Sequence, residues 1–324
     1  DADVTIDGGT TALTIAASTI DGDLTLTGGH ASGITDSGTV TVGGNLAATT
    51  DAGNGVINMD TLAVDGSIAL TTNGNGAATV ENDAGLNFAA STVRGALSAT
   101  ATTGDITDSG NLVITGAATF ITTAAGRDII LDQSGNVFTS TVTMQAGNGS
   151  NAAFDDITFV DSAAVRLHSS AASAGDLYIN ASTDGAVGGD LSITATTGNI
   201  TQGVAVAVTG TTTLKATTSN DITLDNTSNN FQGAVKITSG NDVTLVDAGD
   251  IDLGVSAVSG IYAVTATSGD ISDSGNLVIT GAATFITTAA DSNIILGQSG
   301  NAFASTVTMK AGDGTDEDFN NITF

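Results

Sequence analysis

The 324-residue chain is long enough to bury a sizeable core, yet it has no Cys, Pro or Trp, only two Tyr, and 42 Gly. It therefore holds together without disulfides and offers no thiol chemistry. Acids outnumber bases 34 to 6, a formal net charge of −28, which repels phosphate backbones and anionic headgroups and excludes nucleic acid as a partner. Hydrophobic residues still make up 40% of the chain and alternate in short runs, so we expect a folded, highly soluble β protein and not a disordered one. No run of 18 apolar residues occurs, so no membrane insertion is expected.

The chain opens on Asp1-Ala2-Asp3, without an initiator Met or leader pattern, as a processed or excised end would. Leu24-Thr25-Leu26-Thr27 is the first clear strand signal, with apolar residues inward and Thr outward. Ile34, Val40 and Val42 return as Ile200, Val206 and Val208 at a shift of 166. Leu86, Phe88, Ser91, Val93, Gly95 and Leu97 return as Ile251, Leu253, Ser256, Val258, Gly260 and Tyr262 at a shift of 165. Residues 100–159 then recur at 265–324 with 44 identities in 60 positions. The chain reads as two super-repeats, 1–159 and 160–324, the second continuous with the first.

A shorter period lies inside each super-repeat. One series runs Leu191/Ile193, Leu214, Val235/Ile237, Val258, Leu277/Ile279. A second runs Ile200, Ile222/Leu224, Val243/Leu245, Tyr262/Val264, Phe285, and a third Val206/Val208, Phe231, Ile251/Leu253, Ile271, Ile295. Each advances by 20 to 24 residues, with Gly, Asn and Asp between strands. This predicts an all-β, right-handed parallel β-helix, a β-solenoid with three short strands per coil of about 22 residues. Inward residues of matched strands, such as Val258 with Leu277/Ile279, should stack in neighbouring coils. Phe120 and Phe285 should be equally buried. The missing Pro agrees, because strands paired on both edges need every N–H. The sequence stops inside the pattern at Phe324, the counterpart of Phe159, which we expect of a piece of a longer protein or a subunit whose ends neighbours cover.

Little catalytic chemistry can be assembled. His30 and His168 are the only histidines, do not match at the 165 shift, and read as surface residues. Asp155-Asp156 cannot act as a glycosidase pair, since adjacent strand residues face opposite ways. Phe120/Phe285, Phe138/Phe303 and Phe154/Phe319 repeat with the coils, as core ladders do. Thr-x-Thr triplets at Thr25/Thr27, Thr39/Thr41, Thr141/Thr143 and Thr306/Thr308 do not follow the coil period, so one flat array is not expected. Asp313, Asp316, Glu317 and Asp318 form a hard-oxygen set that suits Ca²⁺, but the counterpart Asn148–Ala153 has no carboxylate. We expect no enzyme, no other cofactor, and Ca²⁺ as the one metal candidate.

Gly189-Asp190-Leu191-Ser192-Ile193-Thr194-Ala195-Thr196-Thr197-Gly198-Asn199-Ile200-Thr201 resembles the repetitive stalks of filamentous haemagglutinin-like adhesins, as does Ile222-Thr223-Leu224-Asp225-Asn226-Thr227-Ser228-Asn229-Asn230-Phe231. The resemblance covers nearly the whole chain as a repeat style. It implies a right-handed β-helix, the extracellular space or cell surface of a prokaryote, and an adhesive or scaffolding role with a host or cell-surface receptor. Stacking through terminal coils into a filament, sheath or surface layer is the alternative expectation. A polysaccharide-active β-helix enzyme is a distant third.

Overall fold

The structure is a computed structural model that describes residues 2–51, 53–147, 155–168, 176–179, 186–313 and 321–324. These contain strands and turns and no helix. The chain divides into two compact units, residues 1–162 with 170–183, and residues 163–169 with 184–324. In each, strands pair in parallel with their equivalents one coil away, so the all-β solenoid expectation holds.

In the first unit every early coil has one straight strand and one bent pair. Val4–Asp7, Leu24–Gly28, Leu46–Thr50 and Ser67–Thr71 form the straight column, with Val4 opposite Leu24, Leu24 opposite Leu46, and Leu46 opposite Ile68. Beside it run the bent pairs Leu13–Ile15/Ser18–Ile20 and Ile34–Asp36/Val40–Val42. Each step of the straight column is thus 20 to 22 residues. Strands alternate buried and outward positions, as in Leu24–Gly28 and Leu46–Thr50. Leu24, Leu26, Leu46, Ile68 and Leu70 are at most 1% exposed. Each such side chain contributes about 1.5–3 kcal/mol by leaving water.

The two columns then exchange roles. The eight-residue strand Ile57–Val64 bends at Asp60-Thr61, both exposed, and is followed in its column by straight strands Ala78–Asn82, Leu97–Ala101, Ala118–Thr122 and Val142–Gln145. The other column now carries bent pairs, first Leu86–Phe88/Ser91–Val93, both of which pair with Ser67–Thr71. Large and small residues complement each other within each new straight strand: Leu97 with Ala99, Ala118 with Phe120, Val142 with Met144, all buried.

The second unit repeats the exchange. Leu191–Ala195, Thr212–Lys215 and Val235–Ser239 are straight, and the eight-residue Ile251–Val258 covers the last of them. Val243–Asp247, Tyr262–Ala266, Ala283–Thr287 and Val307–Lys310 are straight in the other column. Val258 lies opposite Ile279, and Ser256 opposite Leu277, as expected. Phe120 and Phe285 are both 0% exposed. Aromatic ladders run through both units, Phe88–Phe120–Phe138–Phe159 and Tyr262–Phe285–Phe303–Phe324, with ring centroids 5.1 to 6.2 Å apart. Phe154 and Phe319 lie outside the described residues.

Two expectations need correction. The third apolar series joins two different columns: Phe231 pairs back with Val208, whereas Ile251 pairs with Ile271. Continuing from Ile271, the inward partner is Ile294 and not Ile295, which is 44% exposed. Coil length also varies more than the 20 to 24 residues read from sequence, from 18 between Val235 and Leu253 to 35 between Val165 and Ile200.

Candidate functional site

The chemistry of this chain is concentrated in its corners. Where a straight strand begins, an Asp or Asn side chain accepts the backbone N–H of the equivalent residue one coil later. Asp3 accepts from Asp23 (3.0 Å), Asp23 from Asn45 (2.7 Å), and Asn45 from Ser67 (2.9 Å). Once the columns have exchanged roles, the same device precedes the bent pairs, Asp105 accepting from Asp128 and Asp128 from Asp156. The second unit has Asn199 to Asp221 to Asp242 to Ile261, and Asp250 to Asp270 to Asn293 to Asn321, at 2.7 to 3.1 Å. A strand N–H at a turn would otherwise be left to water, and a carboxylate acceptor makes the stronger bond. Many of the acids behind the net charge are therefore structural acceptors.

A second kind of corner lies inside three of the bent pairs. Asp108 accepts Asp132 N–H (2.9 Å) and Asn136 Nδ2 (2.6 Å), while Asn136 Oδ1 accepts Leu112 N–H (2.8 Å). Asp273 and Asn301 repeat this with Gly297 and Leu277, and Gln202 with Asn229 replaces the carboxylate by a reciprocal amide pair. Burial pushes the Asp108 carboxyl above its ordinary range, against the opposing Asn136 and backbone bonds. Burial likewise raises Asp128, Asp155 and Asp247.

A third set sits where the columns exchange roles. Ala78–Asn82 is too short to cover all of Ile57–Val64, so Asn82 extends the ladder with its side chain. Its Oδ1 accepts Val64 N–H (2.8 Å), and its Nδ2 donates to Val64 O (3.0 Å) and Gly85 O (2.6 Å). The bulge at Glu81 leaves a cleft of about 250 Å³ lined by Thr39, Asp60, Thr61, Leu62, Glu81, Asp83 and Thr102. Sequence reasoning missed this cleft. The one available signal was two consecutive polar residues, Asp60-Thr61, inside an apolar strand.

The sequence-derived candidates stand as follows. Asp313 is exposed; Asp316, Glu317 and Asp318 lie outside the described residues. Among the described residues no three His, Cys, Asp or Glu side chains are placed to hold a metal. His30 is exposed, with Nδ1 accepting Ser32 N–H; the side chain of His168 lies outside the described residues. Asp155 is buried and Asp156 half-buried, so the adjacent pair does not face one way. The Thr triplets form no single array, but outward Thr residues do stack in columns, as Thr27–Thr49–Thr71 and Thr201–Thr223–Thr244. No described helix is long and apolar enough to cross a membrane.

Parallel coils held by stacked side chains and corner acceptors define a repetitive β-solenoid protein. The chain belongs to the family described as "Repeats of unknown function (DUF5649)", whose model matches residues 74–145, 155–238 and 240–310. No curated protein and no solved structure matches the chain significantly.

Proposed function

We propose that the chain is a non-catalytic structural segment of a secreted or cell-surface protein of a prokaryote, acting as a stalk in adhesion in the manner of filamentous haemagglutinin-like proteins. The observation that carries this reading is the use of polar residues. Asp and Asn side chains that could have formed a site are spent coil after coil on backbone N–H groups. A chain built this way gains length by adding coils, since each interacts mainly with its neighbours. The receptor-binding function then belongs to exposed loops or to other parts of the polypeptide.

Antibodies raised against the chain test the reading on intact cells that produce it. Labelling of the intact surface, with reduced attachment to host or neighbouring cells, is expected. Labelling only after lysis would overturn it.

A further inference from the structure

Three outward positions that lie together in the second unit have changed character relative to the first. Phe88 and Leu253 are counterparts, and their partners one coil earlier are Ile68 and Val235. Counted from there, Lys236 stands where the first unit has Ala69, and Lys215, one coil further back, where it has Thr49. Val255, in the strand at which the second unit exchanges its winding, stands where the first has Ala90 and is 64% exposed. A fourth change makes room for these: Gly254 replaces Ala89, and a Cβ on it would lie 2.5 Å from Cγ of Lys236. The Lys236 stem thus lies across bare backbone beside Val255, which steadies its ammonium at the surface.

Charge sets this face apart. Leu191–Ala195, Thr212–Lys215, Val235–Ser239, the second half of Ile251–Val258, Leu277–Ile279 and Ala302–Phe303 follow one another in one column and contain no carboxylate, although the chain has 34 acids. Neither Lys215 nor Lys236 has a described carboxylate within ion-pair distance. Val278, 50% exposed, extends the apolar part. Cations beside exposed apolar side chains suit an acidic partner surface. The same two coils carry one. Asp221 and Asp242 each follow a lysine by six residues and immediately precede Ile222–Leu224 and Val243–Asp247. Each holds the next coil's backbone through Oδ1 and has no hydrogen bond to a described residue through Oδ2.

We propose that this face is an interface with a second copy of the chain, in which Lys215 and Lys236 of each copy pair with Asp221 and Asp242 of the other, around Val255. The acids match the lysines in number and in coil, and the equal spacing lets one two-fold serve both directions, so the contact closes at a dimer. The net charge of −28 makes two copies repel at a distance. At about 0.15 M salt that repulsion is screened beyond roughly 8 Å, whereas pairs in contact are not.

Sedimentation equilibrium of the full chain at about 0.15 M salt tests this, and the chain should reach a dimer and go no further as concentration rises. Lys215→Thr/Lys236→Ala/Val255→Ala restores the residues with which the first unit folds, and should raise the dissociation constant by about tenfold or more. Asp221→Asn/Asp242→Asn keeps an acceptor for each backbone N–H, as Asn199 and Asn45 do elsewhere, and should weaken the dimer by a similar factor. A wild-type chain that stays monomeric into the millimolar range, or a dimer that survives both variants unchanged, would overturn the proposal. So would a monomer that binds alginate through the same lysines, since the occupant would then be an anionic polysaccharide and not a second copy.

Discussion

At the scale of single residues, interior polar groups separate into those that close a bond and those that do not. Thr212 points inward between Leu191 and Val235, is 0% exposed, and its hydroxyl has no hydrogen-bond partner. Thr212→Val keeps the shape and removes an unsatisfied group, so it should stabilise the chain by about 1 kcal/mol or more in denaturant unfolding; a loss of stability would show that the hydroxyl is bonded in solution. Ser91 is the opposite case. Its hydroxyl accepts Leu70 N–H and donates to Ala89 O, and Ser256 repeats both bonds with Ile237 and Gly254. Ser91→Ala leaves a buried N–H without its acceptor and should cost about 1–3 kcal/mol, read from the same unfolding curves. Tyr262 is fully buried, which drives its phenol pKa up, with Ser256 opposing only in part. These distinctions were not legible in the sequence. Thr, Ser, Asn and Asp read as corner or outward residues, and whether one turns inward depends on the coil below it.

At the scale of strands and corners, the inward series were legible because the period of two and the coil period both survive in the apolar residues. The exchange of winding was not, since straight and bent strands share the same alternation and differ only in whether two outward residues fall together. That is why Ile251 and Leu253 were placed after Phe231, in the wrong column. The corners explain the Gly content at particular places. Gly116 N–H donates to Gly95 O at 3.1 Å, and a Cβ on Gly116 would lie 2.4 Å from the Gly95 carbonyl carbon and oxygen. The obstacle is backbone, which cannot move without parting two coils. Gly116→Ala should therefore destabilise by several kcal/mol, roughly the range of a core disruption, and lower the melting temperature accordingly. An unchanged melting temperature would mean that the coils are not in contact at this corner.

At the scale of the whole molecule, charge and burial act together. The net charge of −28 repels itself, and screening by added salt should raise the melting temperature. Asp108, Asp128, Asp155 and Asp247 are all raised from the ordinary value of 3.8 by burial. A carboxyl raised in the folded state contributes stability that is complete below the unfolded value and is lost as pH rises through the folded one. Acidification from neutrality towards about pH 5 should therefore raise the melting temperature, contrary to ordinary acid unfolding, and a steady fall over that range would contradict this assignment of the buried carboxyls. The acidic composition itself was legible, but its role was not: it read as a soluble surface, whereas many of the acids are corner acceptors tying one coil to the next.

The solenoid makes a sharp demand on deletions. Leu97 pairs with Ala118 in the next coil, so removing residues 97–117 takes out one complete coil and joins Ala96 to Ala118 in register. Every remaining strand keeps an equivalent neighbour, and the shortened chain should fold and unfold cooperatively with the same β-type circular dichroism. Removing residues 97–106 cuts through a coil, misplaces every later corner, and should abolish cooperative unfolding. Thermal unfolding of these two deletions side by side is the most direct measurement: one folded and one unfolded is the result a coil-by-coil solenoid requires, and equal loss of folding in both would contradict it.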